Sequence, residues 1–132
     1  DNLVIPADEV LFSLKDKLSK QQSLFSATGG IHAAALFSIG GKFVAMHEDV
    51  GRHNALDKLI GEQLKKGNIP LAEYILMLSG RASFELVQKA TMAGISTIVS
   101  VGAPSSLAVD LARENGQTLI GFLKIDSCNR YS

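Results

Sequence analysis

The sequence is poor in cysteine and balanced in charge, and both properties exclude classes of function. One cysteine stands among 132 residues, and 13 Lys and Arg balance 13 Asp and Glu, so the formal net charge is zero. A single thiol excludes an internal disulfide framework and a zinc site built on two thiolates. Zero net charge argues against broad electrostatic binding, so neither nucleic acid nor an anionic membrane is an expected partner.

Long apolar segments are missing as well. No run approaches the roughly 20 apolar residues of a membrane span, and the N-terminus lacks the basic and apolar regions of a secretory signal. A cytoplasmic location is therefore the expectation. The first residue is Asp1 rather than Met, which suggests that the chain is a fragment of a longer protein.

The sequence does contain the composition of one globular domain. Hydrophobic residues make up 46% and charged residues 20% of it, which is too apolar for disorder and ordinary for a folded domain. Apolar periodicity predicts helices that alternate with strands. The predicted helices cover residues 6–22, 54–66, 83–93 and 105 or 106 to 114, and the predicted strands cover 31–38, 42–47, 74–78, 96–101 and 118–124.

Turn and cap residues set the connections between these elements. Gly40 and Gly41 predict an antiparallel hairpin, because glycine supplies the positive φ angles of a tight turn. Asn54, with Asp57 three residues later, predicts a capped start of the second helix. The short helix–strand connections after the hairpin imply parallel strands. The expected fold class is α/β, a three-layer α/β/α sandwich with a mixed sheet. Three glycines are predicted to end helices: Gly67, Gly94 and Gly116.

Four junctions rich in glycine, hydroxyl or charged residues are the candidate ligand site. Ligands of open α/β sheets bind beyond the carboxyl ends of the strands, next to helix N-termini. Three junctions follow strands, at residues 47–54, 79–83 and 102–106, and a fourth, at residues 28–32, precedes the hairpin. Crossovers of one hand would bring them to one edge of the sheet.

Two interpretations of these junctions stand side by side. In the first, Arg52 and Arg81 bind phosphate or carboxylate in one pocket, with Asp49 and the titratable His53 beside them. In the second, the junctions are solvated loops with ordinary caps and turns, and one arginine pairs with Asp49 or Glu85. The glycine-containing junctions at 79–83 and 102–106 match neither the Walker signature nor the dinucleotide-binding signature.

The histidines and the cysteine favour no catalytic centre by themselves. No two of His32, His47 and His53 have the i, i+4 spacing of a helical metal site, so a metal site is not favoured. Cys128 follows the last predicted strand, and nothing in the sequence marks a base for it. We therefore assign no catalytic residue and no metal ligand in this chain.

Four motifs, in this order along the chain, carry a family resemblance. They read TGGIHAAAL at 28–36, EDVGRHNALDK at 48–58, SGRASFELVQKA at 79–90 and APSSLA at 103–108. With these motifs the chain resembles the FdhD/NarQ family of formate dehydrogenase accessory proteins, from Thr28 to near its end. The resemblance implies a cytidine-deaminase-like fold.

The resemblance also implies a function. The family is a sulfurtransferase that takes persulfide sulfur from a cysteine desulfurase. It passes the sulfur to the bis-guanine-dinucleotide form of the molybdenum cofactor, which then enters formate dehydrogenase. The cofactor is thus a bound substrate, and one symmetric homodimer would present two nucleotide sites to it.

Two departures from the family pattern bear on the site. The family's persulfide cysteine lies in a Cys-x-x-Cys motif before the Thr-Gly-Gly motif, and no cysteine precedes Thr28 here. The chain is therefore expected to be the C-terminal, cofactor-binding domain. The family's Phe-x-Arg-x-x-Arg stretch aligns with residues 122–127, where Lys124 keeps a positive charge and Ser127 replaces an arginine, a change that Arg130 could offset.

The resemblance and the junctions together define the expected cofactor-binding residues. They are Thr28, His32, Asp49, Arg52, His53, Arg81, Ser105, Phe122, Leu123, Lys124, Ile125, Asp126 and Ser127. Zinc is not expected, because the His-x-Glu and Pro-Cys-x-x-Cys motifs of the zinc deaminases are missing, which also excludes deamination. The alternative function is a non-catalytic, nucleotide-binding regulatory module on the same fold.

Overall fold

The computed structural model describes residues 6–25, 31–121 and 128–132. Within these ranges the chain forms four helices and six strands. The helices are α1 (Asp8–Phe25), α2 (Arg52–Lys65), α3 (Phe84–Met92) and α4 (Ser106–Glu114). The strands are β1 (His32–Ser38), β2 (Phe43–Asp49), β3 (Tyr74–Leu78), β4 (Thr97–Ser100), β5 (Thr118–Gly121) and β6 (Asn129–Arg130).

The strands form one mixed sheet in the order β2-β1-β3-β4-β5-β6. β1 pairs antiparallel with both β2 and β3. β3, β4 and β5 pair in parallel, and β6 closes the sheet antiparallel to β5. The predicted hairpin and the predicted parallel units are both confirmed, whereas β6 was not predicted. The predicted end of the fifth strand, residues 122–124, lies outside the described ranges.

The hairpin turn uses one glycine rather than two in the left-handed region. Gly41 has a φ of +93° and Gly40 does not enter that region. The Gly41 amide donates to the Ser38 carbonyl at 2.9 Å, and the Ser38 amide donates to the Lys42 carbonyl at 2.8 Å. The connection is therefore a three-residue loop with a left-handed third residue, a common alternative to the two-residue turn.

The helices cover the two faces of the sheet unequally. On one face, α1 buries Leu11, Leu14 and Leu18 against strand residues such as Ile75 and Met77. The other face is packed by α2, α3 and α4. These three helices contribute Ala55, Leu56, Leu59, Leu86, Val87, Ala90, Ala108 and Ala112 to the larger core. The expected three-layer sandwich is confirmed, and the central strands are apolar on both faces because both are covered.

The boundaries of two elements differ from the predicted ones. α1 continues through the polar stretch that was expected to end it and runs to Phe25, because its Lys and Gln residues favour helix. β2 extends beyond the predicted end to Asp49. Its last residues, Glu48 and Asp49, pair with Ala33 and His32 of β1. The acidic residues of the first junction are thus in a strand.

The start of α2 corrects the predicted cap. Gly51 is the N-cap, and no side chain caps it, so the predicted Asn54 cap is wrong. The helix begins three residues earlier than the Asn54 interpretation requires, and Asn54 Nδ2 instead lies 3.4 Å from Asp49 Oδ1. The other helix signals are confirmed, since Ser83 and Ser105 cap α3 and α4. Gly67, Gly94 and Gly116 take positive φ after α2, α3 and α4.

Candidate functional site at one edge of the sheet

The sheet register brings the junctions to one edge. Leu78 and Ser100, the last residues of β3 and β4, are register partners. The antiparallel β1 begins at that edge, since Ala34 is opposite Leu78, and β2 ends there, since Asp49 is opposite His32. We call residues 31–33, 49–54, 79–83 and 102–106, which collect here, the strand-end edge.

Hydrogen bonds join the second and third junctions directly. The Gly102 amide donates to the Gly80 carbonyl at 3.0 Å, and the Ser105 amide donates to the Ala82 carbonyl at 3.0 Å. The Ser79 hydroxyl accepts from the Ala33 amide at 2.8 Å, which ties the start of β1 to the second junction. The second and third junctions and the start of β1 are therefore parts of one hydrogen-bonded surface.

Gly80 and Gly102 are closely packed within this surface. A Cβ on Gly80 would lie 3.2 Å from His32 Nδ1. One on Gly102 would lie 2.9 Å from Arg81 Cγ and 3.2 Å from the Gly80 carbonyl oxygen. The protein's own groups thus take the space beside both glycines, and tight packing alone accounts for them.

The two arginines lie exposed on this edge. Arg52 is the first residue of α2. Arg81 follows β3, and its Nε donates to the Ala103 carbonyl at 3.3 Å, so its contact is with backbone rather than with Glu85. Adjacent strands are about 4.8 Å apart, and β1 separates β2 from β3, so the two junctions start roughly 10 Å apart. Two arginine side chains can span that separation around a common ligand.

Asp49 makes its ion pair with Lys58 rather than with Arg52 within the described ranges. Asp49 Oδ2 lies 2.7 Å from Lys58 Nζ, and Asp49 Oδ1 accepts from the Gly51 amide at 2.9 Å. The Lys58 ammonium and then the Gly51 amide lower the pKa of Asp49 to about 2. Ionised Asp49 therefore favours the folded state above about pH 4, and this contribution is lost as the pH falls towards 2.

The remaining predicted site residues have mixed positions. His32 and His53 are half-buried at the strand-end edge. Ser105 is also there, but its hydroxyl oxygen accepts from the Ala108 amide at 3.1 Å as a helix cap. Among the described residues, no acceptor takes its hydroxyl hydrogen. Whether these residues bind a ligand stays a prediction. Thr28, Phe122, Leu123, Lys124, Ile125, Asp126 and Ser127 lie outside the described residues.

The histidines do not converge. His47 Nε2 lies 3.1 Å from Glu62 Oε1 of α2, whereas the side chain of His32 lies beside Gly80. In the part of the chain that the structure describes, no group of three His, Cys, Asp or Glu residues is placed to hold a metal ion. None of the helices in that part combines the length and apolar composition of a membrane-crossing segment.

Cys128 lies in an environment that disfavours its thiolate. It packs at the border of the smaller core that α1 covers. Burial, and then the nearby charge of Asp8, raises the pKa of its thiol above the ordinary value. Since the thiolate is the nucleophilic form, this cysteine is poorly suited to carry sulfur.

Sequence reasoning missed Lys58, which contacts both acidic residues at the end of β2. Its Nζ lies 2.7 Å from Asp49 Oδ2 and 3.2 Å from the Glu48 carbonyl oxygen. The nearest signal in the sequence is its place at the end of the 48–58 motif. That spacing corresponds to no standard helical pair, because Asp49 precedes α2, so only the packed structure shows the contact.

The α/β fold of this chain is similar to that of a known deaminase. A guanine deaminase from Nitrosomonas europaea superposes with a TM-score of 0.65 at 15% identity, over 93% of this chain and 81% of that protein. This likeness concerns the fold alone. The model of the FdhD/NarQ family matches residues 2–132, and the chain belongs to that family.

Relatives of the chain are similar over nearly all of it. "Sulfur carrier protein FdhD" of Streptomyces avermitilis is 58% identical over 124 residues, which are 94% of this chain and 44% of the relative. The protein of the same name from Sulfurisphaera tokodaii is 52% identical over 94% of this chain and 49% of its own length.

A solved structure is similar over a comparable part. A protein from Desulfotalea psychrophila, described as a formate dehydrogenase accessory protein, superposes with a TM-score of 0.84 at 30% identity. The superposition covers 98% of this chain and 57% of that protein. The chain thus spans about half the length of the curated relatives that it matches.

Proposed function

We propose that this chain is the cofactor-binding part of a sulfur carrier that serves formate dehydrogenase. The complete protein takes sulfur from a cysteine desulfurase and passes it to the molybdenum bis-guanine-dinucleotide cofactor, its bound substrate. The names of the Streptomyces and Desulfotalea relatives support the carrier and accessory roles. A symmetric homodimer would offer one site to each nucleotide half of the cofactor.

One observation carries the binding part of the proposal: exposed arginines follow two strands that end at the same edge. Arg52 begins α2 and Arg81 lies just before α3, at junctions that start roughly 10 Å apart. Guanidinium groups and the free amides of a helix start both favour phosphate. A nucleoside diphosphate matches this combination of groups better than a neutral ligand does.

The sulfur-transfer step is proposed to lie outside residues 1–132. Cys128 is the one cysteine of this sequence, and its raised pKa keeps it in the thiol form at neutral pH. The alternative function, a nucleotide-binding regulator without chemistry, shares the same edge and the same ligand. The two functions therefore differ in sulfur transfer, not in nucleotide binding.

Calorimetric titration with GDP tests the binding part. GDP supplies the guanine base and the diphosphate of one half of the cofactor, and we expect saturable binding with one site per chain. CDP at the same concentration is the control for the base, and inorganic pyrophosphate is the control for phosphate alone. No heat of binding at millimolar GDP would contradict the proposal.

Residues 1–132 expressed alone are expected not to restore formate dehydrogenase in a strain that lacks the family protein. The reason is that the sequence has no thiol at the persulfide position, since no cysteine precedes Thr28. Formate-dependent dye reduction by extracts measures the outcome. Restored activity that is lost again on Cys128→Ser would place the sulfur chemistry in this chain, against our assignment.

A further inference from the structure

Lys58 makes two contacts with the end of β2 through a single ammonium group. It contacts the carbonyl oxygen of Glu48 at 3.2 Å and the Oδ2 of Asp49 at 2.7 Å. Both acceptors belong to the end of β2, whereas Lys58 belongs to α2. The side chain therefore bridges the strand and the helix across the two-residue connection between them.

Asp49 continues this bridge into the connection itself. While Oδ2 binds Lys58, Oδ1 accepts from the Gly51 amide at 2.9 Å and lies 3.4 Å from Asn54 Nδ2. Gly51 is the N-cap of α2 and has no side-chain cap of its own. Asp49 therefore satisfies a free amide at the helix start, and Lys58 fixes the orientation of its carboxylate.

The residues that this arrangement orders are those of the proposed ligand site. Arg52 and His53 follow Gly51 immediately, as the first two residues of α2. The direction of their side chains depends on how the helix leaves the strand. A change at Asp49 would therefore be felt at Arg52 without any contact between the two side chains.

We propose that Lys58 is a positioning residue for the nucleotide site, which acts through Asp49 to hold residues 49–53 in the conformation that presents Arg52 and His53 to the ligand. This inference rests on the proposed function. The lowered pKa of Asp49, with Lys58 as its largest cause, agrees with a persistent contact. If Lys58 bound the ligand directly, its effect on GDP affinity would not depend on Asp49. If only its charge mattered, loss of another exposed lysine of α2 would have the same effect.

The first test compares GDP affinity among three variants of this chain by calorimetry. Lys58→Met keeps the length of the side chain but removes the charge, and we expect it to weaken GDP binding by about tenfold, comparable to one charge-assisted contact. Lys58→Arg should restore most of the affinity. Lys65→Met removes the same charge from an exposed position of the same helix and should change the affinity less than about twofold.

A double substitution separates positioning from direct contact. In an Asp49→Asn background, Lys58→Met should weaken GDP binding little further, because the two residues act as one unit. Undiminished additivity would show that Lys58 acts independently of Asp49 and would overturn the proposal. Equal losses of GDP affinity in Lys58→Met and Lys65→Met would show that only the charge of the lysine matters, and would overturn the proposal.

An NMR measurement of the Gly51 amide tests the same contact without nucleotide. In the wild-type chain, the Gly51 shift should stay constant on acidification to about pH 3, because the pKa of Asp49 is about 2. In Lys58→Met the midpoint of the pH titration of the Gly51 shift should rise towards the ordinary aspartate pKa near 3.9. The amide hydrogens of residues 50–53 should also exchange with solvent faster. An unchanged Gly51 profile would overturn the proposal. If the wild-type chain bound no GDP, the proposed function would fail, and the Gly51 profile would still decide whether Lys58 orders the loop.

Discussion

Arg81→Ala and Arg52→Ala are each expected to weaken GDP binding by tenfold or more. A charge-assisted, bidentate contact between guanidinium and phosphate contributes on the order of 1.5–3 kcal/mol, which corresponds to at least a tenfold change in affinity. Both side chains are exposed in the chain without ligand. Their loss should therefore leave the melting temperature within about 2 °C of the wild type.

Arg113→Ala provides a matched control for these variants. Arg113 is exposed, and its Nε donates to the Tyr131 carbonyl at 3.1 Å, much as the Arg81 Nε donates to Ala103. It lies in the last turn of α4, at the opposite edge of the sheet. The substitution removes the same charge and the same kind of contact, so affinity should change little.

Melting curves with and without GDP separate ligand binding from a structural role. If the arginine has a structural role, its substitution would lower the melting temperature without ligand, and the folded variant would bind GDP with normal affinity. That result for Arg81→Ala or Arg52→Ala would refute its assignment to the site. If the arginine binds the ligand, its substitution reduces the stabilisation by GDP and leaves the melting curve without ligand unchanged.

Gly94→Ala is expected to destabilise the fold by about 2–5 kcal/mol. A left-handed backbone costs an L-residue about 1–2 kcal/mol, and overpacking adds about 1–3 kcal/mol. Gly94 has a φ of +78°, and a Cβ would lie 2.5 Å from Pro70 Cβ and 3.1 Å from Pro70 Cα. The adjacent Leu71 amide donates to Ala93 at 2.9 Å, so the segment cannot retreat without losing that bond.

Gly116→Ala separates the backbone contribution from the packing contribution. Gly116 has a φ of +70°, also follows a helix, and has nothing within 4 Å of a built Cβ. Only the backbone cost of about 1–2 kcal/mol should appear. Chemical denaturation measures both variants. If the two lost the same stability, the contact with Pro70 would relax without cost.

The two glycines also mark how far sequence reasoning reached in the fold. The C-terminal glycine signal predicted both helix ends correctly, because positive φ is a local property of the chain. It gave no distinction between them, since the neighbour of Gly94 is Pro70, 24 residues away. Local signals in the sequence could not predict the strand order either, because β1 pairs with β3 across about 40 residues.

The candidate site was predicted as a place and not as a set of contacts. A general rule about the carboxyl ends of parallel strands predicted that the junctions meet at one edge, and the strand register confirms that placement. The rule says nothing about Lys58, whose contact with Asp49 depends on the direction in which α2 leaves β2. The Asn54 cap was likewise predicted from local residues alone, whereas the helix begins at Arg52 with Gly51 as its N-cap.

The strand order has a thermodynamic consequence for any ligand of the strand-end edge. The edge combines residues 31–33 with residues 102–106, so no contiguous piece of the chain carries it. Detachment of the hairpin alone would dismantle the edge, because β1 lies between β2 and β3. Binding therefore opposes every opening, local or global, that separates these strands. At a free ligand concentration of 100 times Kd, the added stability is about 2.7 kcal/mol. Amides in β4 and β5, far from the hairpin, would share in that protection from hydrogen exchange.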